Sequence, residues 1–231
     1  MNLSVPVFVL EAGYNLAVIG RREQILMNRA KVQVGAALLS LSMITAAAVE
    51  SANKPANRWG LDQTHCKAMF TVSHEGLAPV TGWFNKVRGS LDYDGKNLAK
   101  AKITAHIETA SLNSGSDLRD FHLKSEHFFD VKQFPDISFE STEVKPLAPG
   151  KFKMTGNLEI RGIKKKVTLD CQGPTGPIVD DHKQTRIGVT AKTKLNKKDF
   201  GMVWNREVAK GVFLVADDAE INLEIEAVKV P

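Results

Sequence analysis

The stretch Phe152-Lys153-Met154-Thr155-Gly156-Asn157-Leu158-Glu159-Ile160-Arg161 decides the fold. Its apolar or small residues fall at every second position, and those between are polar or charged. Strand side chains alternate between the two faces of a sheet, so this strand has one dry face and one wet face. The same period extends outward in both directions. On the C-terminal side, Val167, Leu169 and Cys171 oppose Lys166, Thr168 and Asp170; Ile187, Val189, Ala191 and Leu195 oppose Lys192 and Lys194; Ile221, Leu223, Ile225 and Ala227 oppose Glu220, Asn222, Glu224 and Glu226. On the N-terminal side, Ala101, Ile103, Ala105 and Ile107 oppose Lys102, Thr104, His106 and Glu108; Trp83, Val87 and Leu91 oppose Lys86, Arg88 and Asp92; Cys66, Ala68, Phe70 and Val72 oppose Lys67, Thr71 and Ser73. Many strands with one apolar face each predict a single antiparallel sheet closed into a barrel with an apolar interior.

Turn chemistry separates the strands. Asp94-Gly95 predicts a hairpin, Arg161-Gly162 a turn between two strands, and Pro149-Gly150 and Gly173-Pro174-Thr175-Gly176-Pro177 breaks in the chain. Asp117 to Phe128 does not alternate. Ser116 or Asp117 caps a short helix there, with Leu118, Phe121, His122 and Ser125 at helical spacing, placed as a lid or plug at one barrel mouth. Asn196 to Phe200 predicts a second short helix or turn before Gly201.

The 231 residues are 43% hydrophobic with a formal charge of +5. That suffices for one sizeable core, and the scattered charges form no basic block for nucleic acid. Met27-Asn28-Arg29-Ala30-Lys31 is basic, Val32 to Met43 is apolar, and Ala46-Ala47-Ala48 has a small-x-small pattern. This is the layout of a Sec-type leader over residues 27–48, cleaved near Ala48, and predicts a periplasmic or secreted protein. Residues 1–26 do not fit that layout and read as an over-extended reading frame, with Met27 as the start. A twin-arginine signal at Arg21-Arg22 and an uncleaved anchor at Val32–Val49 are weaker fits. Removing residues 1–48 leaves a charge of +3. Residues 49–57 read as a flexible lead-in and 58–231 as the barrel domain.

Sequence motifs of catalysis are missing: there is no His-Glu-x-x-His, Gly-x-Ser-x-Gly or Gly-x-Gly-x-x-Gly. Asp62 with His65, and Arg119 with Asp120, read as ion pairs and turn contacts before acid–base pairs. His65, His122, His127 and Asp120 form a metal site only if folding gathers them. No catalytic residue, metal or cofactor is expected. Cys66 and Cys171 fall on inward faces and read as buried free thiols. Phe70, Trp83, Phe128, Phe129, Phe134, Phe139 and Phe152 lie on or beside inward faces, whereas Ala68, Ala101, Ala105, Gly156, Ala191 and Ala227 are small inward residues that leave space. A space lined by Phe and Leu stays dry and suits an apolar chain.

Several phrases carry a resemblance: Asp62-x-x-His65, Phe70-x-Val72-x-His74, Gly82-x-Phe84, and above all Asp120-x-His122-Leu123-x-Ser125-x-x-Phe128-Phe129 followed by Phe134-Pro135-x-Ile137-x-Phe139-x-Ser141-Thr142. Gly156-x-Leu158-x-Ile160-Arg161-Gly162 and Asn196-x-x-Asp199-Phe200-Gly201 support it. In order and spacing they resemble the YceI-like family, the bacterial polyisoprenoid-binding proteins, from about Trp59 to Val228. Cys66 departs from the small hydroxyl residue common there. The resemblance implies an extended eight-stranded, lipocalin-like antiparallel barrel, a short helix near one mouth, and a lumen for an isoprenoid tail of quinone or polyprenol type. It implies a binding protein, not an enzyme.

Strand parity alone assigns Phe70, Val72, Ile103, Ile137, Phe139, Met154, Leu158, Val189, Ile221 and Leu223 to the lumen. Asp120 and His122 are candidates for tuning headgroup preference at a mouth. The expected partner is a long-chain isoprenoid lipid, loaded through transient membrane contact, with no nucleic acid; the oligomeric state, a homodimer included, stays open. The competing expectation is a filled barrel acting as an exported interaction or stress-response module.

Overall fold

A computed structural model of the chain describes residues 57–231. The expected leader, the residues before it and nearly all of the lead-in lie outside them. In chain order the strands are β1 (Arg58–Leu61), β2 (Lys67–His74), β3 (Ala78–Phe84), β4 (Val87–Asp92), β5 (Lys102–Glu108) and β6 (Leu112–Asn113). Helix α1 (Asp117–Lys124) follows, then β7 (Asp136–Ala148), β8 (Lys151–Ile160), β9 (Ile163–Val179), β10 (Thr185–Asn196), β11 (Glu207–Ala209), β12 (Val212–Phe213) and β13 (Val215–Lys229).

Three pairs of short strands act as three bent long ones. β1 and β2 both pair with β13, β4 pairs with β1 and β5, and β3 pairs with β2 and β6. Counting each pair once, every long strand lies antiparallel to its sequence neighbours. The last, β13, returns to the first and closes an eight-stranded up-and-down barrel. Closure pairs every long strand on both sides over most of its length. β11 and β12 form a separate small hairpin.

Strand direction places the loops. The β2–β3 turn, α1, the β8–β9 turn and the segment between β10 and β13 gather at one end, called here the helix end. The connections β4–β5, β7–β8 and β9–β10 gather at the other. Arg161 and Gly162 have φ of 52° and 72°, as a two-residue hairpin turn with left-handed central residues requires. The Arg161 Nη1 donates to the carbonyls of Glu126 (2.8 Å) and Phe128, tying that turn to the segment after α1.

Three sequence expectations change. Gly173 to Pro177 does not interrupt the chain: β9 runs through it for 17 residues in all. β8 pairs with β9 only as far as Gln172, so beyond that point β9 is an edge on one side. There the missing proline N–H breaks no ladder, and the irregularity appears as register shifts against β10. Asp94-Gly95 forms no tight hairpin. Asp94 Oδ1 accepts from the backbone N–H of Lys96 (2.8 Å) and Asn97 (2.7 Å) inside a longer β4–β5 connection. Trp83 does not share the inward face of Val87. The bent strand breaks at Asn85–Lys86 and its parity flips, so Phe84 faces inward while Trp83 Nε1 donates outside to Asn85 Oδ1 (3.0 Å).

Candidate functional site

Inward faces of the barrel enclose a cavity of about 240 Å³. Its wall runs from Val72, Val215 and Ala219 towards the helix end to Tyr93, Leu98 and Pro174 towards the other. All ten parity-assigned residues (Phe70, Val72, Ile103, Ile137, Phe139, Met154, Leu158, Val189, Ile221 and Leu223) stand on this wall. The small residues Ala68, Ala101, Ala105, Ala191 and Ala227 stand there too. Side chains do not fill the barrel evenly. At the helix end Phe84, Phe128, Phe129, Phe200 and Met202 pack with Ile137 and Ile160 into a buried cluster. The rings of Phe70, Phe84 and Phe129 lie 5.3–6.1 Å apart there, two pairs tilted and Phe84–Phe129 edge-to-face. Phe70 at the margin of the cluster, and Ile103, Phe139, Val189 and Leu223 further along, are only partly buried because their side chains border open space.

Lys197 is the one charged residue of the wall. It follows Asn196, whose Oδ1 caps a short 3₁₀ turn by accepting from Lys198 N (3.0 Å). Lys197 is buried, and its Nζ donates to the carbonyls of Met202 (3.1 Å) and Trp204 (3.2 Å) and lies 3.2 Å from Asp217 Oδ1. Two of its donors therefore serve the segment that follows the turn, and its charge faces Asp217 on β13. The Asp217 carboxyl is held below its usual range, first by Lys198, against some burial, and then by Lys197.

The two mouth candidates take other places. Asp120 Oδ1 accepts from Ser114 N (2.8 Å) and Ser114 Oγ (2.5 Å), and Arg119 donates to Ser114 Oγ and O at 2.8 and 2.6 Å. Both side chains pin α1 to the end of β6. His122 packs edge-to-face on Trp204 (4.5 Å) and Phe128 (5.0 Å), with His127 at 5.7 Å. Burial, and next His127, hold its pKa below the ordinary imidazole value. Neither Asp120 nor His122 is on the cavity wall; from α1 it is Leu123 that reaches it.

The residues weighed for a mixed metal site are not brought together: His65 lies with Asp62, His122 with His127, and Asp120 with Ser114. Among the described residues, one group of three potential ligands does converge: Asp62, His65 and Glu226. Arg186 already occupies it. The guanidinium reaches Asp62 Oδ2 at 2.6 Å, Glu226 Oε1 at 2.5 Å and Asp180 Oδ2 at 2.6 Å. Asp62 Oδ1 also accepts from Thr64 N and Oγ1, and Oδ2 lies 2.9 Å from His65 Nδ1. The Asp62 carboxyl is pushed far below its usual value, Thr64 being the largest cause and His65 and Arg186 adding to it against partial burial. A cation would have to displace Arg186, so the cluster is a structural clasp across the β1–β2 break.

Cys66 and Cys171 are buried and unpaired. Burial raises both thiols, that of Cys171 to about 12. Phe84, Phe200, Met202 and Lys197 are wall residues outside the parity assignment. Phe84 was signalled by the Gly82-x-Phe84 phrase. Asp180, six residues before Arg186, is its one carboxylate partner near in sequence; Asp62 and Glu226 lie 124 and 40 residues away, so the clasp itself was not legible locally.

An up-and-down barrel around an apolar lumen belongs to the class of lipocalin-like barrels. Residues 59–227 match the model of the YceI-like domain, and the chain belongs to that family. A UPF0312 protein of Shewanella sp. (strain ANA-3) is 30% identical over 199 residues, covering 86% of this chain and 99% of that one. A UPF0312 protein of Yersinia pestis (strain Pestoides F) is 32% identical, covering 87% of this chain and 98% of that one. Among solved structures, the Campylobacter jejuni YceI protein superposes with a TM-score of 0.59 at 28% identity, over 67% of this chain and 88% of that one. A polyisoprenoid binding domain from Saccharophagus degradans, implicated in plant cell wall breakdown, superposes at 0.56 and 15% identity, over 77% and 100%. At that identity the likeness is one of fold.

Proposed function

We propose that this protein binds a long isoprenoid chain, of quinone or polyprenol type, in its lumen and sequesters or carries it outside the cytoplasm. The observation that carries this reading is the apolar wall, whose single charge, Lys197, is already hydrogen-bonded to protein. Such a wall offers no strong polar anchor, so affinity comes from burying the tail, about 0.8 kcal/mol per CH₂. β13 has 15 residues; at about 3.3 Å per residue and a tilt near 40° it spans roughly 35–40 Å of barrel. That exceeds the hydrocarbon thickness of a bilayer, about 30 Å. The Saccharophagus neighbour, a polyisoprenoid binding domain, shares this fold. The expected leader at residues 27–48 supports export. The filled-barrel alternative describes only the aromatic cluster at the helix end.

This reading is of a binding protein. The thiol on the wall, Cys171, is held protonated by its raised pKa, and the Asp62–His65 pair is clasped by Arg186. Loading from a membrane would use the helix end, where, among the described residues, eight of the eleven exposed large apolar side chains lie, including Leu77, Leu118, Phe121, Val203 and Phe213. Such residues suit shallow insertion among lipid headgroups.

The test is mass spectrometry of an organic extract from protein purified without detergent. A stoichiometric isoprenoid is expected. An empty extract, followed by no uptake of added solanesol or ubiquinone, overturns the reading.

A further inference from the structure

Five glycines in the barrel have ordinary negative or extended φ, so their backbone does not need glycine; Gly82 and Gly156 are two of them. What they share is a phenylalanine. A Cβ built on Gly82 would overlap Cζ of Phe70 and stand only 2.9 and 3.0 Å from its two Cε atoms. All three nearest atoms belong to that one ring. A Cβ on Gly156 would overlap Cζ of Phe139, with its Cε2 at 2.6 Å and the Glu140 carbonyl oxygen also at 2.6 Å. Phe70 is the direct cross-strand partner of Gly82, and Phe139 is diagonal to Gly156, whose partner is Ser141. Each ring therefore reaches across to the next strand and lies in the hollow left by a missing side chain. Both rings stand on the lumen wall.

We infer that the Phe70–Gly82 and Phe139–Gly156 pairs set the bore of the lumen, and hence which chain lengths enter it. This rests on the reading of the barrel as an isoprenoid container. A phenylalanine pointing straight inward would obstruct a narrow barrel; laid over a glycine it becomes flat wall while keeping its apolar surface. The pairs sit at different heights. Phe139 pairs with Ala105 in the middle of β5, whereas Phe70 lies between Ala68 and Val72 on the way to the helix end. Displacing Phe70 would close off the part of the lumen bounded by Val72, Val215 and Ala219, and shorten the usable length. Displacing Phe139 would constrict the middle.

Gly82→Ala is the cleaner probe, since the three nearest atoms all belong to one movable side chain; Gly156→Ala also strikes backbone. Two readouts decide. In a crystal structure of Gly82→Ala, the Phe70 ring is expected to rotate into the lumen. In uptake assays with farnesol, geranylgeraniol and solanesol, Gly82→Ala is expected to bind solanesol roughly tenfold or more weakly than wild type while retaining farnesol. Gly82→Ala/Phe70→Ala is expected to recover solanesol. The inference is overturned if the ring stays flat and β3 moves outward instead. It is equally overturned if folded Gly82→Ala binds the three alcohols as wild type does, or if the double variant recovers nothing. If wild type takes up none of them, the container reading fails separately, and the ring position in the crystal still decides whether the pairs set the bore.

Discussion

Arg186 forms ion pairs with three carboxylates, more than any other single side chain described. It links residues of β13, the β1–β2 break and the β9–β10 turn, and only the folded chain brings them together. Its carboxylate partners Asp62 and Asp180 are held below their ordinary values. For such groups the stabilisation is present above the unfolded carboxylate pKa, about 4, and is lost as pH falls from there towards the folded value. Melting temperature is therefore expected to be flat from neutral pH to about 5 and to fall below about 4. Arg186→Met, which keeps the aliphatic stem but leaves three carboxylates facing one another, is expected to lower the melting temperature at pH 7 and to flatten the acid limb. Thermal melts by circular dichroism across that range check this; a variant with an unchanged acid limb would remove Arg186 from the account. The thiols make a second test at this scale. Buried and raised in pKa, Cys66 and Cys171 are expected to be inert to DTNB at pH 8 until the barrel is unfolded in guanidinium, when both react together.

Helix α1 shows how an element can be legible while its contacts are not. Its eight residues follow Ser116, which takes the capping position in extended conformation without a side-chain cap bond. Leu118 and Phe121, at helical spacing in a helix expected as a lid or plug at the mouth, are 81% and 78% exposed. The helix is held instead by Asp120 and Arg119 on Ser114 and by His122 against Trp204. His122 is packed as a neutral imidazole, so its contribution is present above its unfolded pKa near 6.5 and declines as pH falls through the lower folded value. Trp204 emission is expected to titrate with a midpoint below that of a free histidine, and the transition to vanish in His122→Asn; Trp204→Phe identifies the signal among the three tryptophans. Parity behaves in the same way along strands. The ten residues it assigned all border the cavity. Parity failed at Trp83 because the Asn85–Lys86 break flips the strand, and nothing local in the sequence marks a bend that the barrel imposes. The Gly173–Pro177 run misled for a related reason: a proline breaks a strand only where its N–H is needed, and there β9 has lost its β8 partner.

At the scale of the whole molecule, a closed barrel of eight strands can be either a core or a container, and the composition of its inner face does not distinguish them. Closure and the dry face were readable from period-two alternation, the count of eight strands came from the family resemblance, and the small inward residues signalled open space but not its extent, which depends on where the large rings lie. Ala105 separates the two. It faces inward at mid-lumen, in register with Phe139 and Gly89 on the flanking strands, and borders the cavity. In a filled barrel, Ala105→Phe would overpack and cost about 1–3 kcal/mol. In a container the added ring enters existing space, so stability in urea is expected to change by less than about 1 kcal/mol while solanesol uptake is lost. Thr104→Phe, one residue along on the outer face, is the matched control and is expected to keep both stability and uptake. Stability and binding thus move in opposite ways under the two architectures. A variant that is strongly destabilised yet still binds would contradict the open lumen, whatever the wild-type extract contains.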